Sequence, residues 1–130
     1  MAYKFDATVR YAQSHDWARL EGDLVVCGIS DYAQHALSDV VFIELPSVGD
    51  TVAQGDIYST VESVKAAEQV YAPVSGEIVA VNDDLEANPE LINEDPYGAA
   101  WIIKVKPSDA GELDALMDAA AYESLLAEHE

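Results

Sequence analysis

From Ile57 the chain reads Ile57-Tyr-Ser-Thr-Val-Glu-Ser-Val-Lys-Ala-Ala-Glu-Gln-Val-Tyr-Ala72. Two runs rich in β-branched and aromatic residues, 57–62 and 69–72, flank a short connection at 63–67. The pattern predicts two strands joined by a tight turn. A turn there projects the Lys65 side chain clear of the fold. An exposed lysine has a flexible stem and, when deprotonated, a nucleophilic amine. It reads either as an acylation site or as an ordinary solubilising lysine. Between Arg19 and Lys104 it is the only basic residue.

Before this segment, Trp17-Ala-Arg-Leu-Glu and Leu24-Val-Val-Cys-Gly-Ile are strand-like runs separated by Gly22-Asp23, a hairpin signal. Ser30-Asp-Tyr-Ala-Gln-His-Ala-Leu reads as a short helix capped by Asp31, with Gln34 three residues on. Val40-Val-Phe-Ile-Glu-Leu is a strand stopped by Pro46, and Gly49-Asp50 and Gly55-Asp56 are turns. After the segment, Pro73-Val-Ser-Gly turns the chain into the strand Glu77-Ile-Val-Ala-Val. Residues 82–96, rich in Asn, Asp, Glu and Pro, are loop with a helical turn or two. Trp101-Ile-Ile-Lys-Val is a strand that Pro107 ends. Asp109 and Glu112 then have capping-box spacing. Leu113, Leu116, Met117 and Ala120 share one helical face, and Tyr122, Leu125 and Leu126 form a second that does not continue it. The expectation is two short helices, or one broken near Asp118, over 109–128, packed on a β core over 10–107. A weak echo of turn and apolar strand on either side of Lys65 fits two similar β halves.

The chain has 130 residues, 50% of them apolar and 24% charged. That is one domain's length, so residues 1–130 are expected to form a single domain. No apolar run approaches the roughly 18 residues that span a bilayer. The start, Met1-Ala-Tyr-Lys-Phe-Asp, has neither a signal core nor transit-peptide character, so a cytoplasmic location is expected. Cys27 is alone, which excludes an internal disulfide, and its apolar surroundings make it a buried, inert thiol. Six Lys and Arg against 25 Asp and Glu leave a formal net charge of −19. Such a surface repels nucleic acid and anionic membranes. It suits basic partner surfaces or a general salt adaptation, and the sequence favours neither.

Enzyme chemistry is hard to find. His15, His35 and His129 have no metal-ligand spacing, and there is no GxGxxG, GxxxxGK[ST] or GxSxG. Asp83-Asp84 and Glu94-Asp95 read as solvated loop pairs. Ser14-His-Asp16 reads as a turn, because triads are assembled in space and not by adjacency. The residues describe a small acidic β protein without catalytic apparatus or metal.

Val61-Glu-Ser-Val-Lys-Ala-Ala resembles the lipoylation motif of the glycine cleavage H-protein family, with the modified lysine at Lys65. Ser14-His-Asp-Trp, Gly28-Ile-Ser-Asp-Tyr-Ala-Gln, Val41-Phe-Ile-Glu-Leu-Pro, Tyr71-Ala-Pro-Val-Ser-Gly-Glu and Leu91-Ile-Asn-Glu-Asp-Pro-Tyr-Gly resemble further signatures of that family. The resemblance covers residues 10–126. A biotinyl domain would usually place Met on both sides of its lysine, and the neighbours here are Val64 and Ala66.

The resemblance implies a mainly β fold, a hybrid barrel-sandwich of the lipoyl/biotinyl type, with Lys65 at a hairpin tip and short flanking helices, including C-terminal ones. It implies a carrier, not a catalyst. Lipoate, amide-linked to Lys65, would take an aminomethyl group from the pyridoxal-phosphate glycine decarboxylase. It would deliver that group to tetrahydrofolate on the aminomethyltransferase. The FAD-containing dihydrolipoamide dehydrogenase would then reoxidise the dithiol. Tethering raises the effective concentration of cargo at each enzyme. Lipoylating enzymes complete the implied partners, and a monomer is expected. Glu62, Ser63, Val64 and Ala66 would present the lysine for lipoylation. In the family the loaded arm folds into a cleft that hides its cargo from water. Ser14 and Asp16 match positions that hold the cargo amine there, in a partly exposed ion pair. Asp16 stands where Glu is usual, Glu68 where Ser is common and Ala36 where some members have His, so the amine falls to Asp16 or to Glu68. A related lipoyl carrier, serving lipoyl relay or sulfur oxidation, would share the fold and Lys65.

Overall fold

Short β-rich runs punctuated by Gly, Pro and Asp become nine antiparallel strands within residues 3–129, which are the residues the computed structural model describes. Six of them form one sheet, in the order β1 (Arg10–Tyr11), β2 (Asp16–Glu21), β3 (Leu24–Ile29), β9 (Ile103–Pro107), β8 (Gly76–Val81) and β5 (Thr51–Val52). The other three, β4 (Val40–Glu44), β6 (Ile57–Ser63) and β7 (Ala67–Tyr71), form the second sheet, with β6 in the middle. Val25, Cys27, Ile43, Val61, Ile78, Ile103 and Val105 are buried in one apolar cluster contributed by both sheets. The Gly22-Asp23 turn is as the sequence predicts. Glu21 pairs with Leu24, and Gly22 supplies the positive φ, 62°, that a two-residue hairpin requires. Cys27 is buried, as expected.

Five helical segments fill the connections among the described residues: α1 (Asp31–Leu37), α2 (Asp84–Ala87), α3 (Leu91–Glu94), a 3₁₀ helix (Ala110–Ala115) and α4 (Ala119–His129). The two single-turn helices lie in the acidic loop where a helical turn or two was expected. The cap of α1 is Ser30 instead of Asp31. Ser30 Oγ accepts from the Ala33 amide at 3.1 Å. Asp31 is engaged elsewhere, accepting from the Lys4 amide at 2.8 Å and from Gln34 Nε2 at 2.8 Å. Asp109 does cap the 3₁₀ helix, accepting from the Gly111 amide at 3.0 Å. Glu112 does not close the box. Its carboxylate instead accepts from the Ser75 amide and hydroxyl, at 2.6 and 2.9 Å.

The expected helical face of Leu113, Leu116, Met117 and Ala120 is broken up. Leu116 is extended, and Met117 forms a bridge to Tyr11. The break at Asp118 is real, and Asp118 Oδ1 accepts from the Ala121 amide at 2.8 Å to start α4. The strand expected at Trp101 begins only at Ile103. β1 and β5 have two residues each and went unread.

A second cluster, also unread, joins the chain ends to β2. Tyr11, Trp17, Tyr122 and Leu126 are buried together. The Tyr11 and Tyr122 rings stack with centroids 4.3 Å apart. Trp17 lies against Gly28 on the paired strand, where any Cβ would stand 2.7 Å from the indole, and its Nε1 donates to Pro96 O at 3.0 Å.

Candidate functional site

The β6–β7 hairpin closes through Glu62 opposite Ala67 and Val61 opposite Glu68. That leaves Val64, Lys65 and Ala66 as the tip. Ser63 shapes the tip locally, as short hydroxyl side chains do when they hydrogen-bond the backbone beside them. Its Oγ accepts from the Lys65 and Ala66 amides, at 3.2 and 3.0 Å, and lies 3.0 Å from Ala66 O as donor. The Val64 amide donates to Asp39 O at 3.0 Å, tying the tip to the segment between α1 and β4. Glu62, Val64, Lys65 and Ala66 are exposed and Ser63 is half-buried. The Lys65 amine does not stand clear of the fold. Nζ donates to Ala36 O at 3.3 Å, in the last turn of α1, where free carbonyls and the helix dipole favour a cation.

Ala36 also lines a cleft of about 240 Å³ between α1, the start of β2 and the β6–β7 hairpin; Ser14, Asp16, Tyr32, Glu68 and Val70 line it too. The three residues singled out in the sequence, Ser14, Asp16 and Glu68, therefore meet in one cavity next to Lys65. Their environments differ. Asp16 is 1% exposed. Its carboxylate accepts from Ser14 Oγ at 2.5 Å and from the Tyr71 amide at 3.4 Å. Burial pushes its pKa up from 3.8 to about 7, and the two hydrogen bonds offset only part of that. The partly exposed setting expected for Asp16 is thus corrected: it lies at the floor. Ser14 and Glu68 are the exposed members.

The sequence reading gave His15 and Tyr122 no role at the cleft. His15 has a left-handed backbone, φ 74°. Its Nδ1 lies 2.7 Å from Tyr122 Oη, which also lies 2.8 Å from Ser30 Oγ. One buried hydroxyl from α4 therefore joins the Ser14–Asp16 turn to the cap of α1, the two walls of the cleft. The Tyr32 ring packs 4.6 Å from the imidazole. Among the described residues no group of His, Cys, Asp and Glu could hold a metal ion, and the His129 side chain lies outside them.

The sequence profile described as Glycine cleavage H-protein matches residues 9–129. The chain belongs to the glycine cleavage H-protein family. It is 58% identical over 123 residues to the glycine cleavage system H protein 2 of Pseudomonas putida, covering 94% of this chain and 96% of that one. It is 56% identical over 116 residues to the H protein of Thermus thermophilus, covering 89% and 91%. A crystal structure of the H protein from Mycobacterium marinum superposes with a TM-score of 0.87 at 37% identity, covering 95% of this chain and 99% of that chain. The fold is therefore the hybrid barrel-sandwich of lipoyl carriers, as the resemblance implied. The family is one of lipoyl-bearing carrier subunits whose partners belong to the glycine cleavage system. No helix among the described residues is long and apolar enough to cross a membrane.

Proposed function

We propose that Lys65 carries lipoate as an amide on Nζ. In this reading residues 1–130 act as one monomeric, cytoplasmic carrier domain with no chemistry of their own. The observation that carries it is the placement of Lys65, exposed at a hairpin tip, with its amine on the same Ala36 that lines the cleft. An acylated residue must be exposed, and an arm rooted there needs no movement of the fold to enter the cleft. When bound, lipoate would supply a disulfide that opens to hold an aminomethyl group on one sulfur between glycine decarboxylase and aminomethyltransferase, and that dihydrolipoamide dehydrogenase closes again from the dithiol.

The chain's own residues do the rest. Ser63 shapes the tip, and Glu62, Val64 and Ala66 frame the lysine for the lipoylating enzyme. Ile29, Leu37, Val61 and Val70 give the cleft apolar walls that exclude water. Asp16 accepts the cargo amine at the cleft floor, Ser14 orients its carboxylate, and Glu68 adds negative potential at the rim. A carboxyl that is reluctant to ionise in a buried site becomes an anion when a cation arrives. Entry of the amine therefore draws a proton off Asp16.

Lys65→Arg tests the assignment. Arginine keeps the charge, fits an exposed tip and is a poor acyl acceptor, because the guanidinium stays protonated. The variant should unfold like the parent, within about 0.5 kcal/mol, gain no lipoyl mass and support no glycine cleavage with the partner enzymes. Lys4, Lys104 and Lys106 should not replace it. None lies at a hairpin tip, and Lys104 Nζ sits over the Trp101 ring, 4.9 Å from its centroid. A folded Lys65→Arg chain that still becomes lipoylated would overturn the reading.

A further inference from the structure

The burial pattern of β4 departs from alternation. Val40 is buried, Val41 and Phe42 are both exposed, and Ile43 is buried again. The cause is a register shift against β6 between Val40 and Phe42, a bulge that turns two consecutive side chains outward. Past the bulge the register is regular. Ile43 pairs with Val61 toward the core, so Phe42, its partner Glu62 and then Ala67 occupy the outer face of the sheet. Glu44, Thr60 and Gln69 continue that face. It runs directly into the lysine tip, because Val40 pairs with Ser63 and the Val64 amide holds Asp39 O.

Two properties of this face point to a partner. Phe42 is 50% exposed, its chain neighbour Val41 53%, and Val64 at the hairpin tip 69%. Among the described residues Phe42 is the only exposed Phe, Tyr or Trp. A solvent-facing phenylalanine at a bulge on an edge strand does nothing for the core, whereas buried aromatic anchors dominate protein interfaces. Its surroundings are also of one sign. Asp39, Glu44 and Glu62 are exposed beside it, on a chain of net charge −19. The complementary surface is an apolar recess rimmed by Lys and Arg.

We propose that the outer face of the β4–β6–β7 sheet is the docking surface for the enzyme that acylates Lys65, with Phe42 seated in such a recess. The proposal rests on Lys65 being the acylated residue. The acylating enzyme is the occupant because it must reach Nζ itself, before any arm exists, and so must cover the side chains around the tip. Enzymes that meet the far end of a finished arm can stand off from the tip.

The test is the steady-state rate of lipoylation of the full-length unmodified chain by its lipoylating enzyme, read by intact mass and peptide mapping. Phe42→Ala should lower kcat/KM at least about tenfold, mostly through KM. Leu20→Ala, an equally exposed apolar side chain on β2, should stay within about twofold of wild type. Glu44→Gln with Glu62→Gln should flatten the dependence of kcat/KM on salt. If the alanine variant melts early, Phe42→Thr makes the same test with a strand-forming residue. Lipoyl on Lys65 at an unchanged rate in the Phe42 variants overturns the docking surface and leaves the Lys65 assignment standing. Absence of lipoyl from Lys65 in the wild type overturns both. A defect confined to loading by the decarboxylase, with lipoylation intact, gives the face to that enzyme and overturns the proposal.

Discussion

Asp16 is 1% exposed and keeps two hydrogen bonds, from Ser14 Oγ and from the Tyr71 amide. Desolvation nonetheless outweighs them, and the folded carboxyl titrates at about 7 instead of 3.8. The sign of the consequence follows from proton counting. Between pH 4 and pH 7 the folded chain holds a proton that the unfolded chain has released. Asp16 therefore makes stability fall as pH rises through that window, and its cost is complete above pH 7. At about 1.4 kcal/mol per pK unit the cost is on the order of a few kcal/mol. Asp16→Asn keeps the shape and removes the charge. In urea unfolding the variant should match wild type near pH 4 and be the more stable by pH 8, the gap opening through the window. A difference that does not change with pH would show that Asp16 is ionised at no cost.

At the scale of elements, α4 reaches the wall of the cleft through Tyr122, whose ring also lies edge-on to the His15 imidazole with centroids 5.8 Å apart. Tyr122 Oη meets both His15 Nδ1 and Ser30 Oγ. Tyr122→Phe keeps the ring that stacks on Tyr11 and removes the bridge. It should cost about 1–2 kcal/mol in denaturant unfolding; a change under about 0.3 kcal/mol would mean that the bridge adds nothing to the fold. His15 and Tyr122 lie 107 residues apart, and no local pattern announces such a pair. The same limit explains what else was and was not legible. Strands of five or more residues were readable, because alternation and turn residues agree over that length. β1 and β5 are too short to carry a period. Ser30 and Asp31 are equally competent caps in sequence, and the Lys4 amide, 27 residues from Asp31, decides between them by claiming its carboxylate. Glu112 is likewise claimed by Ser75. Lys65 was legible through its isolation and its neighbours. The burial of Asp16 was not, because the elements that cover it come from distant parts of the chain.

Over the whole molecule, positive charge is sparse, and part of it is already engaged. Arg19 pairs with Glu21 at 2.8 Å and packs over Trp17, while Lys104 covers Trp101. The remaining field is that of an anion, with net charge −19. Such a field steers a carrier toward basic patches on its partners, and salt screens it over a Debye length of about 8–10 Å near physiological strength. Raising ionic strength from about 50 to about 300 mM should slow loading by the decarboxylase several-fold, through the association rate. A loading rate that is flat with salt would assign the acidity to solubility in salt instead.

The hairpin tip, described above as a set of backbone hydrogen bonds, is also a pivot. Ser63 and the Val64–Asp39 contact hold the main chain on both sides of Lys65, so the reach of an arm on this lysine would come from torsion about side-chain single bonds and not from bending of the loop. In the unmodified chain the exposed ammonium donates to Ala36 O at 3.3 Å. Acylation turns that nitrogen into a neutral amide with a single N–H. If Lys65 is the acylated residue, building the arm would weaken the contact that holds its root and free the side chain to swing without any change in the fold.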